Sequence, residues 1–136
     1  MIKPFHLSFV VPDLNQAKEF YVNVLDCNVG RDNGKWLDIL FFGHQITMHQ
    51  EQPSMKAKAI DHFGPVLDKA EWQAVAEKLS SSGVDFQLPP TIKDNGTSAE
   101  SGKYIVNDPA GNLLEFKYYG SFSTTVETKN ALQKWS

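Results

Sequence analysis

The stretch YIVNDPAGNLLEF, residues 104 to 116, decides the fold predicted for this chain. Within it, Asp108 to Gly111 has a polar first residue, proline second and glycine fourth, which is typical of a type I turn. Apolar residues on both sides predict a β-hairpin with at least one buried face. Glu115 interrupts this pattern between Leu114 and Phe116, and a carboxylate at such a position needs a partner. We therefore expect the rest of the chain to supply partners for Glu115.

The residues before the hairpin predict a strand, a helix and a short strand. The first strand spans residues 60 to 67 and carries His62 near its start. Asp68 is a good N-cap, Glu71 occupies the capping-box position, and Gly83 suits a left-handed residue after the helix. The apolar stripe of the helix consists of Ala70, Trp72, Val75, Ala76 and Leu79. Residues 84 to 88 then predict a short strand, and residues 89 to 102 a polar loop.

The first part of the chain predicts the same order of elements. Residues 5 to 11 are almost all apolar, which predicts a strand buried on both faces that carries His6. Asp13 caps a predicted amphipathic helix over residues 14 to 25. A polar turn region at 28 to 35 and a strand at 36 to 42 follow. Alternation in residues 45 to 49 predicts a half-buried strand with Thr47 and His49 on one face.

The chain is therefore an internal repeat of two β-α-β-β-β halves. His6 and His62 begin the two halves, and Asp13 and Asp68 cap the helices that follow, at spacings that agree within one residue. We predict a single domain over residues 1–120, with module one at 4–50, a linker at 51–59 and module two at 60–119. Residues 121–136 are predicted to be a polar tail.

Composition narrows the classes of function. The 136 residues suit one domain, and 41% hydrophobic residues supply a core. A net charge of -3 without a basic patch argues against nucleic acid and anionic membranes as partners. Cys27 is the only cysteine, which excludes a disulfide framework and a multi-cysteine zinc site. No apolar run is long enough to span a membrane, so we expect a cytoplasmic protein.

A metal site is the hypothesis that explains Glu115. If the first and last strands of both halves surround one concave sheet, His6, His62 and Glu115 face the same cavity. Two imidazoles and one carboxylate form a facial triad that leaves about three positions of an octahedral ion open. A substrate can then chelate the ion through two neighbouring oxygens. The alternatives are hydrogen-bonded core histidines and an ion pair of Glu115 with Lys103 or Lys117.

The repeat, the histidine that begins each half and the segment Asp-Pro-x-Gly-Asn-x-x-Glu together resemble the vicinal oxygen chelate superfamily. It includes glyoxalase I, the bleomycin resistance proteins, the fosfomycin resistance thiol transferases and the extradiol dioxygenases. The resemblance covers about residues 4 to 119. It implies an α+β fold of two βαβββ modules that form a curved mixed sheet around a metal-binding cleft. It also implies His6, His62 and Glu115 as ligands and a homodimer that acts on a small-molecule substrate.

The ligand set suggests which members are most similar. Glyoxalases take a fourth ligand from the last strand of the first half, which falls on or near Thr47, a poor ligand. A three-residue set resembles the dioxygenases and the fosfomycin enzymes, with Fe(II) favoured and Mn(II), Zn(II) or Ni(II) as alternatives. The expected function is a metal-dependent, extradiol-type ring-cleavage dioxygenase. The alternatives are a glyoxalase-type lyase or isomerase, a thiol transferase, and a metal-free drug-binding resistance protein.

Two further residues are catalytic candidates. In the dioxygenases a tyrosine precedes the last ligand by ten residues, and Ile105 occupies that position here. Tyr104 is adjacent, and a bulge near Asn107 is needed to bring it to the same face. The alternative for Tyr104 is packing. His49 is the candidate for a general base or a substrate contact, and its alternative is a polar residue at a strand end.

Overall fold

The computed structural model describes residues 4–51, 60 and 62–120, which form two compact units. The first unit contains residues 4–51 and 60 together with 108–112, and the second contains 62–107 together with 113–120. Each unit has a four-stranded mixed sheet with little helix, which confirms the predicted α+β class. The predicted linker beyond residue 51 and the predicted tail 121–136 lie outside the described residues.

The first unit is a sheet covered on one face by a helix. Its strands are β1 (His6–Val11), β2 (Asn28–Asp32), β3 (Trp36–Phe41) and β4 (His44–Gln50), in the order β1-β4-β3-β2. β1 runs parallel to β4, whereas the β4–β3 and β3–β2 pairs are antiparallel. Helix α1 (Leu14–Lys18) continues as a π-helical segment at Glu19–Val24. Asp13 caps α1 as predicted and accepts the backbone N–H groups of Asn15 and Gln16.

The two faces of the first sheet differ in polarity. One face contributes buried side chains to the core, among them Val11, Leu37, Ile39, Phe41, Ile46 and Met48. The opposite face carries the cross-strand rows that contain the polar residues His6, Gln45, Asp38, Thr47 and His49. The alternation predicted for residues 45 to 49 therefore places Thr47 and His49 on the polar face.

Two predictions for this unit are wrong. β1 is not buried on both faces, because the alternate residues His6, Ser8 and Val10 are exposed. The region 28 to 35 is not merely a turn, because β2 pairs with β3. The polar sequence of β2 gave no local sign of a strand, since that strand is defined by a partner distant in sequence.

The second unit repeats the arrangement. It contains β5 (Val66–Leu67), helix α2 (Lys69–Ser81), β6 (Phe86–Lys93), β7 (Ser101–Asn107) and β8 (Leu113–Tyr119), with the sheet order β5-β8-β7-β6. Asp68 caps α2 as predicted, and its carboxylate accepts the Glu71 backbone N–H at 2.8 Å. Gly83 has φ +79°, which confirms the predicted left-handed residue. Of residues 60 to 67, those described contribute only the short β5 and one bridge at Phe63.

The predicted loop at 89 to 102 is wrong in its first half. β6 continues through Pro89 and Pro90 to Lys93. Proline is compatible with this position because β6 is an edge strand of the second sheet, and its pairing with β7 is irregular between Phe86 and Thr91. Within the part of the chain that the structure describes, no helix has the length and apolar character needed to cross a membrane.

The turn of the hairpin packs within the first unit. Asp108 accepts the backbone N–H groups of Ala110 and Asn112, and its backbone carbonyl accepts that of Gly111, which confirms the predicted turn. The buried hydroxyl of Tyr21 donates to Asp108 Oδ2 at 2.9 Å. Burial, followed by the charge of Asp108, raises the pKa of Tyr21 well above its ordinary value. The aspartate of this motif therefore both shapes the turn and holds it against the first helical segment.

Tyr21→Phe is expected to lower the free energy of unfolding by about 1.5–3 kcal/mol, because it deletes a buried hydrogen bond to a carboxylate. Chemical denaturation of both proteins measures this difference. Asp108→Asn and the double variant complete a mutant cycle. If Tyr21→Phe lowers the free energy of unfolding by the same amount in the Asp108→Asn background as in the wild type, the two side chains are not coupled. That result would contradict a stabilising hydrogen bond between them.

Glu100 makes the stability of the second unit dependent on pH. The backbone of Gly96, followed by the side chains of Lys69 and Tyr118, donates hydrogen bonds that lower the pKa of Glu100 from 4.5 to about 2. A lowered pKa stabilises the folded state above pH 4.5, and that contribution is lost as the pH falls towards 2. The melting-temperature difference between wild type and Glu100→Gln should therefore shrink across this interval. A difference that stays constant from neutral pH to pH 2 would contradict it.

Candidate functional site

Glu115 lies beside His62 because a short segment of chain is bound tightly to β8. Phe63 donates its N–H to the Leu113 carbonyl at 3.1 Å and accepts the Glu115 N–H at 2.8 Å. A Cβ atom on Gly64 would lie 1.8 Å from the Glu115 carbonyl oxygen, so only glycine allows this close approach. The backbone contacts at Phe63 and Gly64 thus fix His62 at the start of the second half next to the last strand.

The carboxylate of Glu115 has two cationic or imidazole neighbours. Glu115 Oε2 lies 3.8 Å from His62 Nε2, and Glu115 Oε1 lies 3.5 Å from Lys117 Nζ. The Glu115 side chain is 12% exposed, whereas that of His62 is 43% exposed. The contact with Lys117 means that the ion-pair alternative is also present, along β8 rather than across the hairpin.

The separation of His62 and Glu115 is slightly longer than that of two ligands of one ion. Two ligand atoms that each lie about 2.1 Å from one metal are about 3.0–3.4 Å apart. The observed 3.8 Å requires only a small side-chain movement to reach that range. An imidazole nitrogen and a carboxylate oxygen are also suitable donors for a divalent transition metal.

His6 belongs to the first unit, where its ring is oriented by a neighbouring strand. His6 Nδ1 lies 2.7 Å from the amide oxygen of Gln45, its partner in the β1–β4 register. An amide oxygen only accepts hydrogen bonds, and in the tautomer with the proton on Nδ1 the lone pair lies on Nε2. Metal-binding histidines commonly show this arrangement, in which the second ring nitrogen donates to an oxygen. The contact with Gln45 is therefore compatible with His6 Nε2 as a metal ligand.

The predicted triad remains a prediction. The structure brings together His62 and Glu115 in the second unit and places His6 in the first. Among residues 4–51, 60 and 62–120, no three His, Cys, Asp or Glu side chains form a group that could hold a metal ion.

A buried carboxylate that the sequence analysis did not single out lies next to Thr47. Asp38 is 1% exposed, accepts the Thr47 hydroxyl at 2.7 Å and accepts Arg31 Nε at 2.6 Å. Burial favours a higher pKa for Asp38, but the hydrogen bonds from Arg31 and Thr47 outweigh it and the pKa lies below its usual value. A signal existed in the sequence, because Asp38 interrupts an apolar strand between Leu37 and Ile39 as Glu115 does in β8.

His49 lies on the polar face of the first sheet, two residues from Thr47 on β4. It is partly exposed and pairs with Trp36 on β3 and with Val10 on β1. Its ring has no hydrogen bond to another described residue. The position is compatible with the predicted contact with a substrate.

Tyr104 serves packing in this structure. It is fully buried, its hydroxyl donates to the Trp72 carbonyl at 2.9 Å, and its ring stacks on Phe116 at 5.0 Å. Its register partner on β8 is Phe116, and the β7–β8 pairing is regular up to Asn107, so the bulge required to turn it is absent there. The side chain faces α2, away from Glu115, which favours the packing alternative over the catalytic role predicted for Tyr104.

Ile105 lies on the face of β7 that a catalytic tyrosine beside Glu115 would have to occupy. Its cross-strand partner is Glu115, so both side chains lie on the same side of the second sheet. The position at which the dioxygenases carry their tyrosine is therefore directly opposite Glu115 in this chain, and isoleucine occupies it. An aliphatic side chain there cannot ionise or transfer a proton.

Comparisons with known proteins agree with the fold and the residue pattern. The family model described as Glyoxalase/Bleomycin resistance protein/Dioxygenase superfamily matches residues 3–116. A solved glyoxalase/bleomycin resistance protein/dioxygenase from Alicyclobacillus acidocaldarius is 30% identical, with a TM-score of 0.73 over 86% of this chain and 91% of that one. A search among curated proteins found no match.

Two more distant structures share the fold. The fosfomycin resistance protein FosX from Listeria monocytogenes is 21% identical, with a TM-score of 0.68 over 87% of this chain and 94% of that one. Lactoylglutathione lyase from Agrobacterium tumefaciens is 19% identical, with a TM-score of 0.64 over 85% and 92% of the two chains. Since the family model spans most of the sequence, this chain belongs to the glyoxalase/bleomycin resistance protein/dioxygenase superfamily.

Proposed function

We propose that this protein is a divalent-metal-dependent enzyme that binds a small substrate through two neighbouring oxygens. The observation that supports it best is the pair His62 and Glu115, whose ligand atoms are 3.8 Å apart on the face of the sheet opposite α2. A partly buried carboxylate on that face, with an imidazole beside it, contributes little to the core. It is well suited to hold a cation.

The proposed ligands are His6, His62 and Glu115. Hydrogen bonding of His6 Nδ1 to Gln45 supports a role for His6 Nε2 as the third donor. A bound divalent ion would supply Lewis-acid chemistry to a substrate that chelates it. Fe(II) is the first metal to test, and Mn(II), Zn(II) and Ni(II) follow, because a mixed nitrogen and oxygen donor set accepts all four.

Ring cleavage of a catechol with dioxygen is the first proposed reaction, on the basis of the two-histidine, one-carboxylate set. A second candidate is a non-redox reaction, either a glyoxalase-type isomerisation or lyase reaction or the addition of a thiol. Ile105 favours this second candidate, because the residue opposite Glu115 is aliphatic and cannot ionise a catechol as a tyrosine at that position would. In either reaction we propose that His49 accepts or holds a proton, since its ring nitrogens have no hydrogen bond to another described residue.

The resemblance also implies a homodimer, which we propose as the working assembly. Light scattering during size-exclusion chromatography measures the mass directly and compares it with 15.3 kDa for one chain. A single species at the mass of one chain would contradict the dimer.

Metal analysis followed by a substrate panel tests the proposed function. Protein purified without chelators is expected to bind one divalent ion per chain, and failure to bind any of the four metals would instead support a metal-free binding protein. The Fe(II)-loaded protein is then given catechols while oxygen uptake is recorded, and hemithioacetals and a thiol with an epoxide are tested with each metal. Oxygen uptake supports ring cleavage, whereas turnover without uptake supports the second candidate. A protein that binds metal but turns over none of these classes would contradict both reactions.

A further inference from the structure

Arg31 is the single arginine of a chain that contains twelve lysines. Lysine therefore supplies almost all of the positive charge in this protein, and position 31 is the one place where arginine is used instead. A guanidinium differs from an ammonium in that it offers several N–H groups in a rigid plane, so that it can bind one acceptor along one edge and a second acceptor along another.

One edge of the guanidinium is held by protein. Arg31 Nε donates to the buried Asp38 at 2.6 Å, and Asp38 is itself held by the Thr47 hydroxyl at 2.7 Å. The guanidinium carbon lies 4.8 Å from the centre of the Trp36 ring, which restricts the plane of the group. These contacts order a side chain that would otherwise be mobile.

The backbone is distorted in a way that allows this arrangement. The register of β2 against β3 shifts between Val29 and Asp32. Gly30 and Arg31 are adjacent, yet both lie against Asp38: a Cβ on Gly30 would be 3.1 Å from the Asp38 Cβ, and Arg31 bonds the same side chain. Regular alternation in a strand would place neighbouring side chains on opposite faces, so the irregularity directs Arg31 to the polar face.

The other edge of the guanidinium has no partner among the described residues. The Arg31 side chain is 68% exposed, and its two terminal nitrogens make no hydrogen bond to a described residue. That edge has the spacing to donate two parallel hydrogen bonds to one carboxylate or phosphonate group. His49 lies on the same polar face, because it pairs with Trp36 in the β3–β4 register.

We propose that Arg31 is an oxyanion-binding residue that recognises a carboxylate or phosphonate group of the substrate, with Asp38 and Thr47 as positioning residues. The identification of the anion as part of the substrate rests on the proposed function. The binding of an oxyanion by Arg31 does not depend on it, and it can be measured without metal or turnover.

The single arginine allows a specific test by NMR. Full-length protein is dialysed against the neutral chelator 1,10-phenanthroline, so that a probe anion has no metal to bind, and the Arg31 Nε–Hε signal is followed. Benzoate and methylphosphonate are the two oxyanion probes, and benzamide and chloride are the controls without a bidentate oxyanion. A saturable shift with at least one oxyanion and with neither control is expected. No saturable shift with either oxyanion, or an equal response to chloride, would overturn the proposal.

Two variants separate binding from simple charge. Arg31→Lys keeps a cation beside Asp38 but lacks the second pair of N–H donors, so the affinity for the oxyanion should fall at least about tenfold. In this variant, which has no arginine signal, binding is measured from the backbone signals of Trp36 and Asp38. Lys35→Gln removes a cation from the neighbouring turn and should leave the affinity unchanged. If Arg31→Lys binds the oxyanion as tightly as the wild type, and circular dichroism shows that its fold is retained, the proposal is overturned. Anion binding in a protein that binds no metal would refute the proposed function while leaving the role of Arg31 intact.

Discussion

Glu115→Gln is expected to lower the affinity for a divalent metal by at least about 100-fold. Loss of a residue that merely supports a ligand commonly costs 10- to 100-fold, and Glu115 is proposed as a ligand itself. Glutamine keeps the size of the side chain but replaces the charged carboxylate with a neutral amide. Competition of the protein with a chromogenic chelator, for Zn(II) and for Mn(II), measures the change.

Lys117→Gln is the matched control for this experiment. Lys117 Nζ lies 3.5 Å from Glu115 Oε1, so the variant removes the other charged neighbour of the carboxylate and leaves the proposed ligands in place. Its metal affinity should not fall, because a positive charge near the ion is lost. Equal losses in the two variants would indicate that Glu115 serves an ion pair rather than a metal. Wild-type affinity in Glu115→Gln would exclude it as a ligand.

Gly64→Ala is the second substitution with a large expected effect. The added Cβ would lie 1.8 Å from the oxygen and 2.7 Å from the carbon of the Glu115 carbonyl group, and backbone atoms in a sheet cannot move aside cheaply. We expect the free energy of unfolding to fall by about 3 kcal/mol or more, at the upper end of the range for overpacking. Because the displaced segment also carries His62, metal affinity should fall as well. Denaturation and chelator competition on the same samples measure both effects.

Gly120→Ala serves as the comparison for that variant. Both glycines lie in the second unit and neither has positive φ, but the nearest atom to a Cβ on Gly120 is 3.1 Å away. Its effect on stability should be much smaller. Comparable destabilisation by the two substitutions would show that the close approach at Gly64 has no special role.

Local signals in the sequence predicted the elements that local chemistry determines. Asp13 and Asp68 cap helices, Gly83 ends one, and the turn that begins at Asp108 closes the hairpin. These features depend on backbone hydrogen bonds between residues close in sequence, so a short pattern suffices to find them. The helix boundaries and the α+β class followed from the same signals.

The edge strands could not be predicted in the same way. β2 is polar and β6 contains two prolines, so neither has the local character of a strand. β2 forms because β3 supplies backbone hydrogen bonds to it, and β6 forms because β7 does the same; each edge strand is paired on one side only. The exposed face of β1, by contrast, had a local sign, because His6 and Ser8 alternate with Leu7 and Phe9 in the sequence.

The candidate site was accessible to sequence reasoning in part. Glu115 and Asp38 are the same kind of anomaly, a carboxylate within an apolar strand, yet the first was singled out because the repeat supplied histidines for it. Arg31, the partner of Asp38, lies in the polar region 28 to 35, for which the sequence predicts a turn. Tyr104 and Ile105 differ by one position along β7, and only the register with β8 decides which of them shares a face with Glu115.

The most direct test of the central claim is the coordination sphere of the Mn(II)- or Fe(II)-loaded protein, determined by crystallography with anomalous scattering at the metal edge. We predict one ion per chain with Nε2 of His6, Nε2 of His62 and a carboxylate oxygen of Glu115 each within about 2.0–2.3 Å. An ion bound by other residues, or none bound at saturating metal while Glu115 stays paired with Lys117, would contradict the account.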